Sequence, residues 1–147
     1  MLDRLKEPFP VNKIHWRVGA TTQDKKKGIA LAYLDARDVM QRLDTVCEDR
    51  WQCRYPFTGC CEIGLYLNDE WIWRANGAGE TNVEGEKGQF SDAFKRAAVM
   101  WGIGRYLYAL PNVWVDLDQY KKIIKPPELP TWATPEGYRE IMRARAA

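Results

Sequence analysis

The chain has little of what most catalysts need. It carries one histidine, His15, and one serine, Ser91, which falls in a helix interior, so no nucleophile–base arrangement presents itself. The four cysteines, Cys47, Cys53, Cys60 and Cys61, form no Cys-x-x-Cys pair and have no histidine partners, which argues against zinc and for free thiols in a reducing compartment. No stretch approaches the ~18 to 20 apolar residues of a membrane helix. The opening Met1-Leu-Asp-Arg-Leu-Lys-Glu lacks the apolar core of a signal peptide, so the expected location is the cytoplasm with no membrane partner. Twenty-two Lys and Arg against 20 Asp and Glu leave a net charge of only +2, so an anion-binding surface has to arise by local segregation of charge. Gly77-Ala-Gly-Glu-Thr-Asn82 precedes a helix but lacks both a following Gly-Lys-Ser/Thr and a third glycine, which excludes the standard nucleotide loops. Internal repeats and low-complexity tracts are absent.

What the chain does have is apolar content, 46% over 147 residues, enough for a sizeable core. The expected organisation is one domain over residues 1–125, then a proline-rich connector and a short C-terminal helix over 126–147. Seven tryptophans and seven tyrosines suit cores and subunit interfaces first, and stacking on bases second.

Pro8-Phe-Pro10 disfavours helix, and Lys13–Val18 alternates as a short strand, giving an extended N-terminal arm. Thr21–Gly28 reads as a polar loop whose Lys25, Lys26 and Lys27 are either solvated or, on a nucleic-acid binder, a mobile finger on phosphates. Apolar residues at 29, 32, 36, 39, 40, 43 and 46 predict an amphipathic helix over Ile29–Val46. Trp51–Tyr55, Cys60–Leu67 and Trp71–Gly77, separated by Thr58-Gly59 and Asn68-Asp69-Glu70, predict a three-stranded antiparallel meander. Ile63, Leu65 and Leu67 share one of its faces.

The stretch from Glu84 to Leu110 organises the rest. Phe90, Ala93, Phe94, Ala97 and Trp101 recur at helical spacing, predicting a stripe that packs on the meander. Asp92, Lys95, Arg96 and Val99 then point away, and the Lys-Arg pair is either an ordinary solvated face or a rigidly mounted positive site. Gly102 and Gly104 bend or end the helix. Val113–Leu117 is strand-like, and Thr134-Pro135 opens the last helix. The fold class is therefore α+β: a β-β-β-α core, meander on long helix, with an extra N-terminal helix. Glu62, Asp69, Glu70, Glu80, Glu84 and Glu86 keep a metal-dependent nuclease open as the alternative, although several of them stand where turns and helix entries favour carboxylates.

Asp92-Ala-Phe-Lys-Arg-Ala-Ala-Val-Met-Trp-Gly-Ile-Gly-Arg-Tyr-Leu-Tyr108 resembles the signature helix of the Rad-fifty-two superfamily of single-strand annealing proteins, particularly its phage Sak-like branch. Ala30–Met40 resembles the family's first helix, Gly77–Thr81 the loop before the signature helix and Leu129–Ala133 the region beyond it, in the same order and over roughly residues 8 to 138. The resemblance implies a homo-oligomer, ring or helical filament, that holds single-stranded DNA in a basic groove. It implies annealing of complementary strands in recombination without ATP, catalytic metal or other cofactor, in a phage or prophage setting. An exonuclease or a single-strand-binding protein is the candidate partner. By position Lys95 and Arg96 match the family's DNA-contacting pair, and Lys87 another basic position. Where this chain has Val99 the family's human relative has a further arginine, which makes Arg105 or Arg54 the candidate replacements.

Overall fold

The computed structural model describes residues 1–77 and 85–147, with side chains over 1–77 and 88–147. In chain order the elements are α1 (Leu2–Lys6), β1 (His15–Thr21), β2 (Lys27–Tyr33), α2 (Ala36–Cys47), β3 (Trp51–Phe57), β4 (Cys60–Leu67), β5 (Glu70–Gly77), α3 (Gly85–Met100), β6 (Trp114–Asp116) and α4 (Pro135–Ala146). Short 3-10 turns lie at Val11–Lys13, Arg105–Ala109 and Thr131–Ala133. The elements form two units, residues 1–7 with 36–105, and residues 8–35 with 106–147. The fold is α+β, and its β-β-β-α core is the expected one.

In the first unit, β3, β4 and β5 form an antiparallel sheet in that order. Tight turns enforce it. Asn68 and Asp69, at φ +52° and +65°, make a two-residue turn whose twist matches the flanking strands, and Gly59 at φ +83° closes the other hairpin. β3 continues past Pro56 to Phe57, two residues beyond the expected end, because the register shifts between Arg54 and Phe57 and spares the ladder a proline N–H.

Period-two alternation buries Cys61, Ile63 and Leu65 on one face of β4, and α3 lays Ala93, Phe94, Ala97 and Ala98, followed by Trp101 just past its end, against the sheet. Alanine at three of those positions lets the helix approach closely. The expected stripe differs at its first member: Phe90 is 37% exposed and meets the Tyr55 ring edge-on at 5.0 Å. Leu67 is only half-buried, at the end of its strand. Trp101 ties helix to sheet, its indole Nε1 donating to the Ile63 carbonyl oxygen at 2.9 Å, with the Arg74 guanidinium 4.0 Å from its ring centroid.

α3 ends as Gly102 and Gly104 require. At φ +98° Gly102 turns the chain left-handed, its N–H donates to the Val99 carbonyl at 2.9 Å, and the Ile103 N–H reaches the Ala98 carbonyl at 3.1 Å. That paired closure, with Ile103 and Ala98 both buried, is a Schellman stop.

The helix expected over Ile29–Val46 is corrected. Residues 27–33 are strand β2, and helix starts only at Ala36, directly after Asp35. Ile29 and Ala32 fit the helical period by coincidence, while the antiparallel partner β1 decides the matter, pairing His15 with Tyr33 through Val18 with Ala30. The N-terminal arm is thus a paired strand, and Thr21–Gly28 is the tip of a hairpin. Within α2 the period holds, burying Val39, Leu43 and Cys47. Arg42 braces the N-terminus. Its Nη1 donates to the carbonyl oxygens of Leu5 at 3.1 Å and Glu7 at 2.6 Å, closing α1, a helix the sequence did not suggest.

In the second unit β1, β2 and β6 form the other sheet, with Lys27 paired to Asp116 and Ile29 to Trp114. The Phe9 N–H donates to the Tyr106 hydroxyl at 2.9 Å, which pins the strand entry to the chain after α3. Thr134 caps α4 as expected, its hydroxyl accepting from the Gly137 N–H at 3.2 Å with Pro135 at the first turn. Among the described residues no helix is long and apolar enough to cross a membrane.

Candidate nucleic-acid interface

The outward face of α3 carries the first candidates. Packing of Ala93, Phe94, Ala97 and Ala98 fixes the helix, so the residues between them are mounted on rigid backbone. Arg96 is exposed and Lys95 half-buried. The Lys95 ammonium stands 3.8 Å from the Asp92 carboxylate one turn earlier, which orients it and offsets part of its charge. Both cations therefore project from one helical turn, with spacing set by the helix rather than by a flexible loop. Lys87 and Glu86 lie outside the residues whose side chains are described, and Glu80, Glu84 and the glycine loop after Gly77 lie outside the described residues altogether.

Arg105 and Arg54 part company. The Arg105 guanidinium folds back onto the end of α3, Nε and Nη2 donating to the Val99 carbonyl oxygen at 3.1 and 2.8 Å and Nη2 also to Met100 at 3.1 Å. It satisfies terminal carbonyls and adds a cation where the helix dipole is negative. It also brings a guanidinium to the residue, Val99, where the resembled pattern has arginine. Any phosphate contact there would run through Nη1.

Arg54 sits on the other face of the meander. Strand alternation puts Trp51 and Tyr55 on the α3 side, where they meet the Phe94 and Phe90 rings, so Arg54 points away. There it donates from Nε to Glu62 Oε2 at 2.6 Å and stacks 3.6 Å over the Trp73 ring. The structure does not bring it to the Lys95–Arg96 face.

The Lys25–Lys27 run is the tip of the β1–β2 hairpin. Asp24 holds that tip, accepting from the Thr22 hydroxyl at 2.7 Å and the Lys26 N–H at 3.0 Å, bonds that lower its carboxyl below the usual range. Among the described residues no three His, Cys, Asp or Glu side chains gather as metal ligands.

The cysteines are all free thiols. Cys53 on β3 and Cys61 on β4 share the α3-side face, and the hydrogen bond from Cys61 holds the exposed Cys53 thiol down at about 7 while the same bond, with burial, pushes Cys61 up. Burial also raises Cys47. Alkylation with iodoacetamide, read residue by residue by mass spectrometry, is expected to reach half its maximal rate at Cys53 near pH 7, the thiolate fraction growing above that pH, with Cys47 and Cys61 unmodified there. A Cys53 midpoint at 9.0, the ordinary thiol value, would contradict the Cys53–Cys61 contact.

Comparison with known proteins bears on this geometry. Residues 59–125, from the β3–β4 turn through α3 and β6 to the connector, match the Rad52/22 family of double-strand break repair proteins. The chain is 40% identical over 145 residues to the single-stranded DNA-binding protein DdrA of Deinococcus deserti, covering 92% of this chain and 71% of that one. The chain belongs to the Rad52/22 family. The Deinococcus radiodurans protein of the same name is 38% identical over 145 residues, with 92% and 68% covered. No solved structure matches.

In this Rad52/22 chain, sequence reading missed the cation–aromatic face on which Arg54 lies. The signal was there: Trp71 and Trp73, two apart on a strand, must share a face, and Arg54 and Glu62 are partners in the β3–β4 register.

Proposed function

We propose that the protein binds single-stranded DNA without regard to sequence and anneals complementary strands, as a non-enzymatic step in recombinational repair. The observation that carries this reading is the Lys95–Arg96 pair on the packed, outward-facing helix α3, in a chain whose relatives are named for binding single-stranded DNA. Annealing requires strands held by phosphates with their base edges free, and point cations on a rigid helix do that. One protomer with net charge +2 offers few contacts. A homo-oligomer, ring or filament, that repeats the pair along a strand multiplies them, so assembly belongs to the reading, as does the cytoplasm as its place of work. Lys87 and the Nη1 side of Arg105 are the further candidates on the α3 side.

The test is the rate at which complementary dye- and quencher-labelled oligonucleotides pair. With chelator present and ATP absent, the protein is expected to accelerate pairing above the spontaneous rate. Pairing at the spontaneous rate, together with shortening of labelled DNA once magnesium or manganese is added, would favour the nuclease reading instead.

A further inference from the structure

The meander face turned away from α3 is not an ordinary polar sheet surface. Trp73 lies flat on Gly64, so close that a Cβ there would sit 2.8 Å from the indole ring atoms. Its other side carries the Arg54 guanidinium at 3.6 Å. Arg54 is in turn held by Glu62 while its side chain stays 56% exposed. Beside this stack, Trp71 stands 6.2 Å from Trp73 at 31°, and Tyr66 meets Trp71 edge-on at 5.5 Å, with the Arg50 guanidinium 5.6 Å from the Tyr66 ring centroid. Trp71 is 38% exposed. Flat π surfaces, edged by guanidinium groups and braced on a sheet, are thus offered to solvent without a flexible loop among them.

From this arrangement we infer that the outer face of the meander is a second contact site for single-stranded nucleic acid, one that takes unpaired bases by stacking on Trp71 and on the exposed plane of Arg54. Every base has a π face, so such stacking is blind to sequence, and guanidinium planes stack on bases as aromatic rings do. Charge favours this occupant: Arg54 and Glu62 neutralise each other, which leaves the Arg50 guanidinium beside Tyr66 as the cation this face presents to a polyanion. Stacking uses the faces of a base and leaves its pairing edge free, which suits a protein that anneals. The site differs in place and chemistry from Lys95 and Arg96, which lie across the sheet and address phosphates. The inference rests on the proposed single-strand binding.

The test compares a dT homopolymer with an abasic strand of equal length and equal phosphate charge. Wild-type protein is expected to bind the dT strand more tightly, with quenched tryptophan emission, and Trp71→Ala is expected to reduce that preference on the order of 5- to 150-fold, the range for one stacked base. Trp71→Phe, which keeps a π face, is expected to preserve most of it. Lys95→Ala with Arg96→Ala is expected to weaken both strands alike and leave the preference intact. Equal wild-type binding of the two strands, or an unchanged preference in Trp71→Ala, would overturn the inference while leaving phosphate binding in place. If Trp71→Ala leaves the preference unchanged but alters the oligomer's size, the face contacts a second copy of the chain and the inference falls. Wild-type protein that binds neither strand removes the single-strand reading itself.

Discussion

Replacing Lys95 and Arg96 together by alanine is expected to weaken single-stranded DNA binding on the order of thirtyfold at moderate salt and to abolish annealing, with the fold intact. Each contact is a solvent-screened ion pair worth about 1 kcal/mol, and two of them amount to about 2 kcal/mol, or roughly thirtyfold. An oligomer engaging several protomers multiplies the loss. Stability should hardly move, because the core side of α3 is made by Ala93, Phe94, Ala97 and Trp101, and alanine is the best helix former. Far-UV circular dichroism and sedimentation of the variant report helix and assembly, and a mobility shift reports DNA. A variant that keeps its helix and oligomer and still binds normally would remove α3 as the interface.

The largest stability effect is expected at Trp101. Truncation to alanine removes the biggest buried side chain, opens a cavity between the end of α3 and the meander, and removes the indole N–H bond to the Ile63 carbonyl. Large aromatic truncations in cores cost about 3 to 5 kcal/mol, against a total stability of typically ~5 to 15 kcal/mol. Trp101→Ala should therefore lower the urea midpoint steeply or leave the first unit unfolded. Trp101→Phe keeps most of the volume and loses the donor, while the Ile63 carbonyl keeps its place in the β4–β5 ladder, so its cost should fall to about 0.5 to 1.5 kcal/mol, the net contribution of one hydrogen bond. Equal midpoints for wild type and Trp101→Phe would show that the bond to Ile63 contributes nothing. If Trp101→Ala unfolds cooperatively at the wild-type midpoint, α3 does not close the core.

Much of the fold was legible because local rules and tertiary packing agree. The three strands of the meander, its two turns, the stripe on α3, the glycine stop and the Thr134 cap each follow from a local pattern that burial reinforces. Reading failed where a local pattern had two solutions. Residues 29–46 satisfy a helical period throughout, and only the distant partners His15–Thr21 and Trp114–Asp116 make 27–33 a strand. The family resemblance shared that error, placing Ala30–Met40 on a helix of which only residues from Ala36 onward are helical.

The cations show the same limit. Lys95 and Arg96 were legible because a helix face is a local property. Arg54 was not, since its side of the sheet depends on which strand face α3 covers. Arg105 differs again: its sequence position beside Gly104 suggests a free cation, yet the left-handed turn at Gly102 swings the chain back so that its guanidinium meets the Val99 carbonyl.

The most direct measurement is the salt dependence of single-stranded DNA affinity, taken side by side for wild type and Lys95→Ala, Arg96→Ala. Two lost phosphate contacts at about 0.7 each should make the slope of log K against log salt shallower by about 1.4 per bound protomer. Identical slopes and affinities in the two proteins would contradict α3 as the face that holds the strand.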